Sequence, residues 1–215
     1  MKRYLFVFAA VLLLTLGVAL ALYPQLPSTV PVHWNAAGEP DGWGARAEVL
    51  MHLPFLVGLG LLWLVLPKVS PKRFAVNGFE ATWWFSGMAM VVLLGYMQCI
   101  HLWGAYQGGF AMDRAILGGL GLFFVVAGNV MGKVRRNFWL GVRTPWTLAN
   151  DRVWYATHRL AARTMVAGGA LAVLVALAGW HGVVGIAGLV VGALVPVAFS
   201  LVYYKKLEKA GTLEA

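Results

Sequence analysis

The side chains able to do chemistry fall into two groups. The first lies between positions 33 and 41 and holds His33, Asn35, Glu39 and Asp41: an imidazole, an amide and two carboxylates. Imidazole nitrogen and carboxylate oxygen are ligands for zinc and other transition ions. His52, His101 and His181 could join them if the fold gathers the histidines, although their spacing matches no compact motif such as HExxH. His33 and Asp41 are then the leading metal candidates. The second group comprises Asn129, Asn137, Arg143, Thr144, Trp146, Trp154, His158 and Arg159. A guanidinium grips phosphate or carboxylate bidentately, so Arg143 and Arg159 suit a lipid headgroup or an acidic partner. Covalent catalysis lacks its apparatus. The serines (Ser28, Ser70, Ser86 and Ser200) sit in no nucleophile motif, and the single cysteine, Cys99, falls in an apolar run. No cofactor motif is present, and a metal-dependent enzyme built on the outer histidines is the one enzymatic reading left.

What must position these groups is a membrane. Hydrophobic residues make up 60% of the 215 positions and charged residues 12%, with mean hydropathy +0.75. A soluble domain carries roughly twice that share of charge, about 25%. The net charge of +9 would suit a nucleic-acid binder only with a soluble basic surface, for which too little polar chain remains. Apolar runs long enough to cross about 30 Å of hydrocarbon recur at Tyr4–Leu22, Val49–Pro67, Ala81–Ile100, Arg114–Met131, Ala161–Trp180 and Val183–Tyr203. The expected fold is therefore an all-α integral membrane protein of six spans. It divides into a two-span unit (1–67), a four-span unit (81–203) and a tail (204–215).

With both termini cytoplasmic, all of the 17 Lys and Arg except Arg46 and Arg114 fall on the inner side. That asymmetry sets the orientation. Lys2, Arg3, an apolar core and Ala19-Leu20-Ala21 also follow the order of a cleavable signal peptide, but the core is longer than the usual 7–15 residues. Cleavage would remove the first span and leave the others as they are. No Asp or Glu lies near the middle of a span, which disfavours an ion-coupled pathway. Gln98 and Asn129 are the main polar exceptions, and an interhelical hydrogen bond is the plain reading of each. Gly128-x-x-x-Gly132 and Gly188-x-x-x-Gly192 have the spacing of close helix contacts, within the chain or in a homodimer.

Two loops interrupt the spans. Residues 23–48 carry Pro24, Pro27, Pro31 and Pro40, which favour extended backbone, and Thr29–Trp34 predicts a short strand in an ordered outer cap. Ala37-Gly38 and Asp41-Gly42 read as turns. Residues 133–160 form the inner loop. Pro145 forces Thr144 into extended backbone, and Asn150 or Asp151 can cap a following helix. Trp154, Thr157, His158 and Ala161 share one face of that helix at i, i+3, i+4 and i+7. Trp139, Trp146 and Trp154 suit the headgroup layer, so a compact element lying against the membrane before the fifth span is expected.

The pattern GNxMGKxRxNxxLGxRTPWTLxxxxVWxxTHRLA at Gly128–Ala161 resembles the signature of the SdpI family of bacterial membrane immunity proteins. The run LPxxVPVHWNAAGEPDGWG at Leu26–Gly44 is similar to a domain of unknown function, DUF1648, often fused in front of it. The resemblance implies a protein of the bacterial cytoplasmic membrane that protects against a secreted peptide toxin. In some members it also implies signalling, by holding a transcriptional repressor at the membrane. The matching positions are Asn129, Asn137, Gly141, Arg143, Thr144, Pro145, Trp146, Trp154, Thr157, His158 and Arg159 inside, and His33, Asn35, Gly38 and Asp41 outside. No catalytic role attaches to them.

Three readings follow. In the first, a non-enzymatic immunity or signalling protein meets a peptide toxin on its outer loop and a cytoplasmic protein on its inner loop. The second is a transporter or flippase of a lipid-like substrate gripped by Arg143 and Arg159. The third is the metal-dependent enzyme. Membrane lipids are partners in all three, and direct nucleic-acid contact in none.

Overall fold

A computed structural model describes residues 1–35, 37–108 and 110–213. Among the described residues, six helices are long and apolar enough to cross a membrane. They are α1 (Lys2–Leu22), α2 (His52–Val69), α3 (Glu80–Gln107), α4 (Met112–Met131), α6 (Asp151–Ala178) and α7 (Gly182–Lys209), with a short α5 (Pro145–Ala149) on the inner side. The expected all-α multi-pass architecture is observed. One expectation is corrected: the helix that begins at Asp151 is the start of the fifth span itself, and only the short α5 lies ahead of it. Asn150 caps α6 by accepting the Val153 amide at 3.1 Å, and the helix then runs unbroken for 28 residues. No proline or glycine interrupts it before Gly168, so nothing forces a bend between the polar first turns and the apolar body.

The outer cap is a two-stranded antiparallel hairpin, β1 (Thr29–Trp34) against β2 (Pro40–Ala45), with bulges around His33. The second strand was not expected, because Pro, Asp and Gly dominate it and read as turn. Asp41-Gly42 lies within β2. The reversal itself is at Asn35–Glu39, where Asn35 Oδ1 accepts the amides of Ala37 and Glu39. Val30 and Leu26 are buried with Ala19, Val49, Leu102 and Ala105, which seats the hairpin on the outer ends of α1 and α3. Buried Gln98 donates to Val49 O at 2.7 Å, the tie between elements expected of it.

The spans form two groups, α1 with α2 and α3, and α4 with α6 and α7, with α3 packed on α4 between them. Glycine sets the second. A Cβ at Gly121 would stand 2.8 Å from Gly169 O, and one at Gly192 would stand 2.7 Å from Thr164 O. These backbones approach too closely for side chains. Thr164 Oγ1 adds a bond to Gly192 O at 2.8 Å. The Gly188/Gly192 pair thus packs α7 on α6 inside the chain. Gly128 meets α6, while Gly132 has open space around it. A buried cluster of Val76, Phe79, Trp83, Met131, Val134, Trp154 and Ala161 joins the two groups at the inner end.

Candidate functional site

The inner loop is organised by the side-chain amide of Asn137, which is wholly buried. Its Nδ2 donates to Arg135 O and Leu140 O at 2.7 and 3.0 Å, and its Oδ1 accepts the amides of Trp139 and Leu140 at 2.7 and 2.8 Å. Thr144 caps α5 by accepting the Thr147 amide at 3.2 Å, with Pro145 at the first helical position. Thr147 Oγ1 returns to Val142 O at 2.8 Å, and Thr144 Oγ1 pairs with Ser200 Oγ of α7 at 3.0 Å. The hydroxyls here are engaged with one another and with backbone.

Trp154, expected in the headgroup layer, and His158, expected to face a ligand or partner, are both buried in the core. Trp154 is fully buried, donates Nε1–H to Val134 O at 2.8 Å and stacks on His158 with centroids 4.1 Å apart. Both histidine nitrogens are taken. Nδ1 bonds to Trp154 O at 2.8 Å, so it carries the hydrogen, and Nε2 accepts the Val142 amide at 3.1 Å. The ring therefore clamps the loop to α6 and offers no free nitrogen for acid–base work. Gly141, at φ +106°, passes directly over Nε2, where a Cβ would collide. Thr157 is buried on the same face with Oγ1 unpartnered.

What this core leaves outward is arginine. Arg143 and Arg159 are exposed, and neither forms an ion pair among the described residues. Arg143 donates to Phe138 O and lines an open cleft of about 520 Å³ with Gly141, Thr144, Leu148 and Val197 of α7. Arg136 is accounted for otherwise, by Asp151 at 2.9 Å and Leu148 O. Trp139 Nε1 bonds to Ser70 Oγ at 2.6 Å, tying the loop to the end of α2, and Trp146 is half-buried. Asn129 lies on the exposed side of α4, apart from this network. Sequence reasoning missed Thr147 and Ser200. The Thr-x-x-Thr spacing of a helix cap could have flagged the first, but nothing local marks Ser200, 56 residues from Thr144.

On the outer side the structure pairs His33 Nδ1 with Asp41 Oδ1 at 2.5 Å across the hairpin, and both are exposed. Asn35 Nδ2 reaches Glu39 at 3.3 Å. A separate pair, His52 and His101, faces Nδ1 to Nδ1 at 3.5 Å, with His101 Nε2 on Pro31 O at 3.3 Å. The outer histidines are thus divided among three places, His33 on the hairpin, His52 with His101, and His181 at the start of α7. Among the described residues no three His, Cys, Asp or Glu side chains come together as a metal site would need.

Among the described residues, six candidate spans with an ordered cap at each end define a multi-pass membrane protein. Residues 133–203 match the SdpI/YfhL protein family, and residues 10–58 match a domain of unknown function, DUF1648. Over 191 residues the chain is 29% identical to "Immunity protein SdpI" of Bacillus subtilis, covering 88% of this chain and 90% of that one. An uncharacterized protein of Archaeoglobus fulgidus is 56% identical over 32 residues, 15% of this chain and 18% of that one. No solved structure matches the chain. The similarity supports the immunity reading and a place among multi-pass bacterial membrane proteins.

Proposed function

We propose that this protein confers immunity to a secreted peptide toxin from the bacterial cytoplasmic membrane, and that Arg143 is the residue through which its inner loop engages a cytoplasmic protein. The observation that carries the inner-loop role is the contrast within the motif. Asn137, Thr147, Trp154 and His158 are buried in a hydrogen-bond network, while Arg143, without an ion pair among the described residues, stands at an open cleft. Such an arrangement holds one guanidinium ready for a carboxylate or phosphate at little ordering cost. The outer hairpin, with exposed Trp43, His33 and Asp41, is the face that meets the toxin. The engaged hydroxyls of Thr144, Thr147 and Ser200 and both engaged nitrogens of His158 support recognition as the activity of this loop.

The test is survival of a sensitive bacterial host expressing the protein under a panel of secreted peptide toxins. Wild type should protect against at least one of them. Arg143→Gln, which removes a charge from the surface and leaves the core intact, should lower protection about tenfold, the scale of one charge-assisted hydrogen bond. Full protection by a normally inserted Arg143→Gln protein would remove the inner-loop role. No protection by wild type against any toxin would remove the immunity reading itself.

A further inference from the structure

Between α3 on one side and α4 with α6 on the other runs a groove of about 850 Å³, lined by apolar side chains including Phe85, Val92, Leu122, Phe123, Val173 and Leu177. We infer that it is a binding site for one membrane phospholipid, with an acyl chain in the groove and the headgroup phosphate on Arg114.

The groove interior selects the chain. Among the described residues Tyr96 and Arg114 are its only polar lining side chains, and the Tyr96 hydroxyl already donates to Ala115 O at 2.9 Å. With no free hydrogen-bonding group below Arg114, a peptide backbone entering the groove would lose its partners, whereas an alkyl chain loses nothing. The gap is kept open by small residues. A Cβ on Gly118 would meet only Ala176 Cβ, at 3.6 Å.

The outer mouth selects the headgroup. Arg114 is one of two basic residues on the side that the charge asymmetry leaves poor in them. The other, Arg46, is engaged over the Tyr23 ring and with Leu26 O. Arg114 is exposed in the first turn of α4, beside Gly179 at the end of α6, and no carboxylate pairs with it among the described residues. An outer cleft of about 510 Å³ shares Phe110, Ala111 and Arg114 with the groove, and its wall carries Asp113 and Glu39. A path therefore runs from acidic groups through a cation into hydrocarbon. That is the charge order of a zwitterionic phospholipid, ammonium outermost, phosphate next and chain below.

The experiment reconstitutes the full chain in nanodiscs of equal phosphatidylethanolamine and phosphatidylglycerol, extracts it gently and counts retained lipids by native mass spectrometry. Wild type should retain one phospholipid, phosphatidylethanolamine in excess. Arg114→Gln and the groove-filling Gly118→Leu should each lower retention about tenfold, while Val202→Ala on an exposed face of α7 should not. Asp113→Asn should keep the lipid and lose the headgroup preference. If Gly118→Leu fails to insert, Arg114→Lys decides, since it should restore what Arg114→Gln loses. Wild type without lipid, equal retention in Arg114→Gln, or lipid found only in a dimer would each overturn the assignment.

Discussion

Asn137 satisfies two carbonyls and two amides with one buried side chain, so its removal exposes the loop's dependence on a single amide. Asn137→Ala should destabilise the protein by about 2–4 kcal/mol, read as a lowered melting temperature in detergent, because several buried groups lose partners at once. Gly141→Ala should cost about 1–3 kcal/mol, combining a positive φ with a collision against His158. Unchanged melting in both would mean that the loop is not clamped as described. At this scale the sequence showed which residues belong together better than what they do. The helical spacing of Trp154, Thr157, His158 and Ala161 correctly placed all four on one face, and all four are buried. That the face meets Val134 and Val142 rather than headgroups was not legible, since an indole is as suited to a core as to an interface. Arg143 and Arg136 likewise look alike in sequence. Only the fold gives one an Asp151 and leaves the other at a cleft.

The spans were legible because hydropathy over about 20 residues is a strong signal, and the contacts between them were legible only in part. Gly188-x-x-x-Gly192 marked a real close approach, whereas half of the equally spaced Gly128/Gly132 pair is idle, because spacing does not reveal which side of a helix has a neighbour. Gly168→Leu should therefore push α7 off α6, where the added side chain meets Gly188 backbone, and cost about 1–3 kcal/mol or more. Gly132→Ala should change stability little. Limited proteolysis of the two variants side by side checks this, with rapid cleavage expected only in the first. The hairpin was half-legible. Thr29–Trp34 has strand composition, but β2 is Pro-Asp-Gly-Trp-Gly-Ala, and its extended form comes from pairing with β1 and from no preference of its own.

Across the whole molecule, the loop ends sort onto two faces. Ser70, Phe74, Phe138, Trp139, Asn150 and Leu213 meet at one end. The hairpin, Val49, Gly108 and Phe110 meet at the other. Charge assigns the first of these to the cytoplasm. With Cys99 replaced by Ala, a cysteine at position 43 should react with a membrane-impermeant maleimide in intact cells, and one at position 212 should react only after lysis. The reverse pattern would invert the protein.

Helices α3 and α6 have 28 residues each, about 42 Å, against a hydrocarbon layer of about 30 Å. Each carries its cap on the surplus, the hairpin on the last turns of α3 and the motif loop on the first turns of α6. The two overhangs point in opposite directions from different halves of the molecule. Lipid composition thus becomes a dimension of the protein's behaviour. Thick, ordered membranes would draw the caps down among the headgroups, and thin ones would lift Trp43 and Arg143 clear of them.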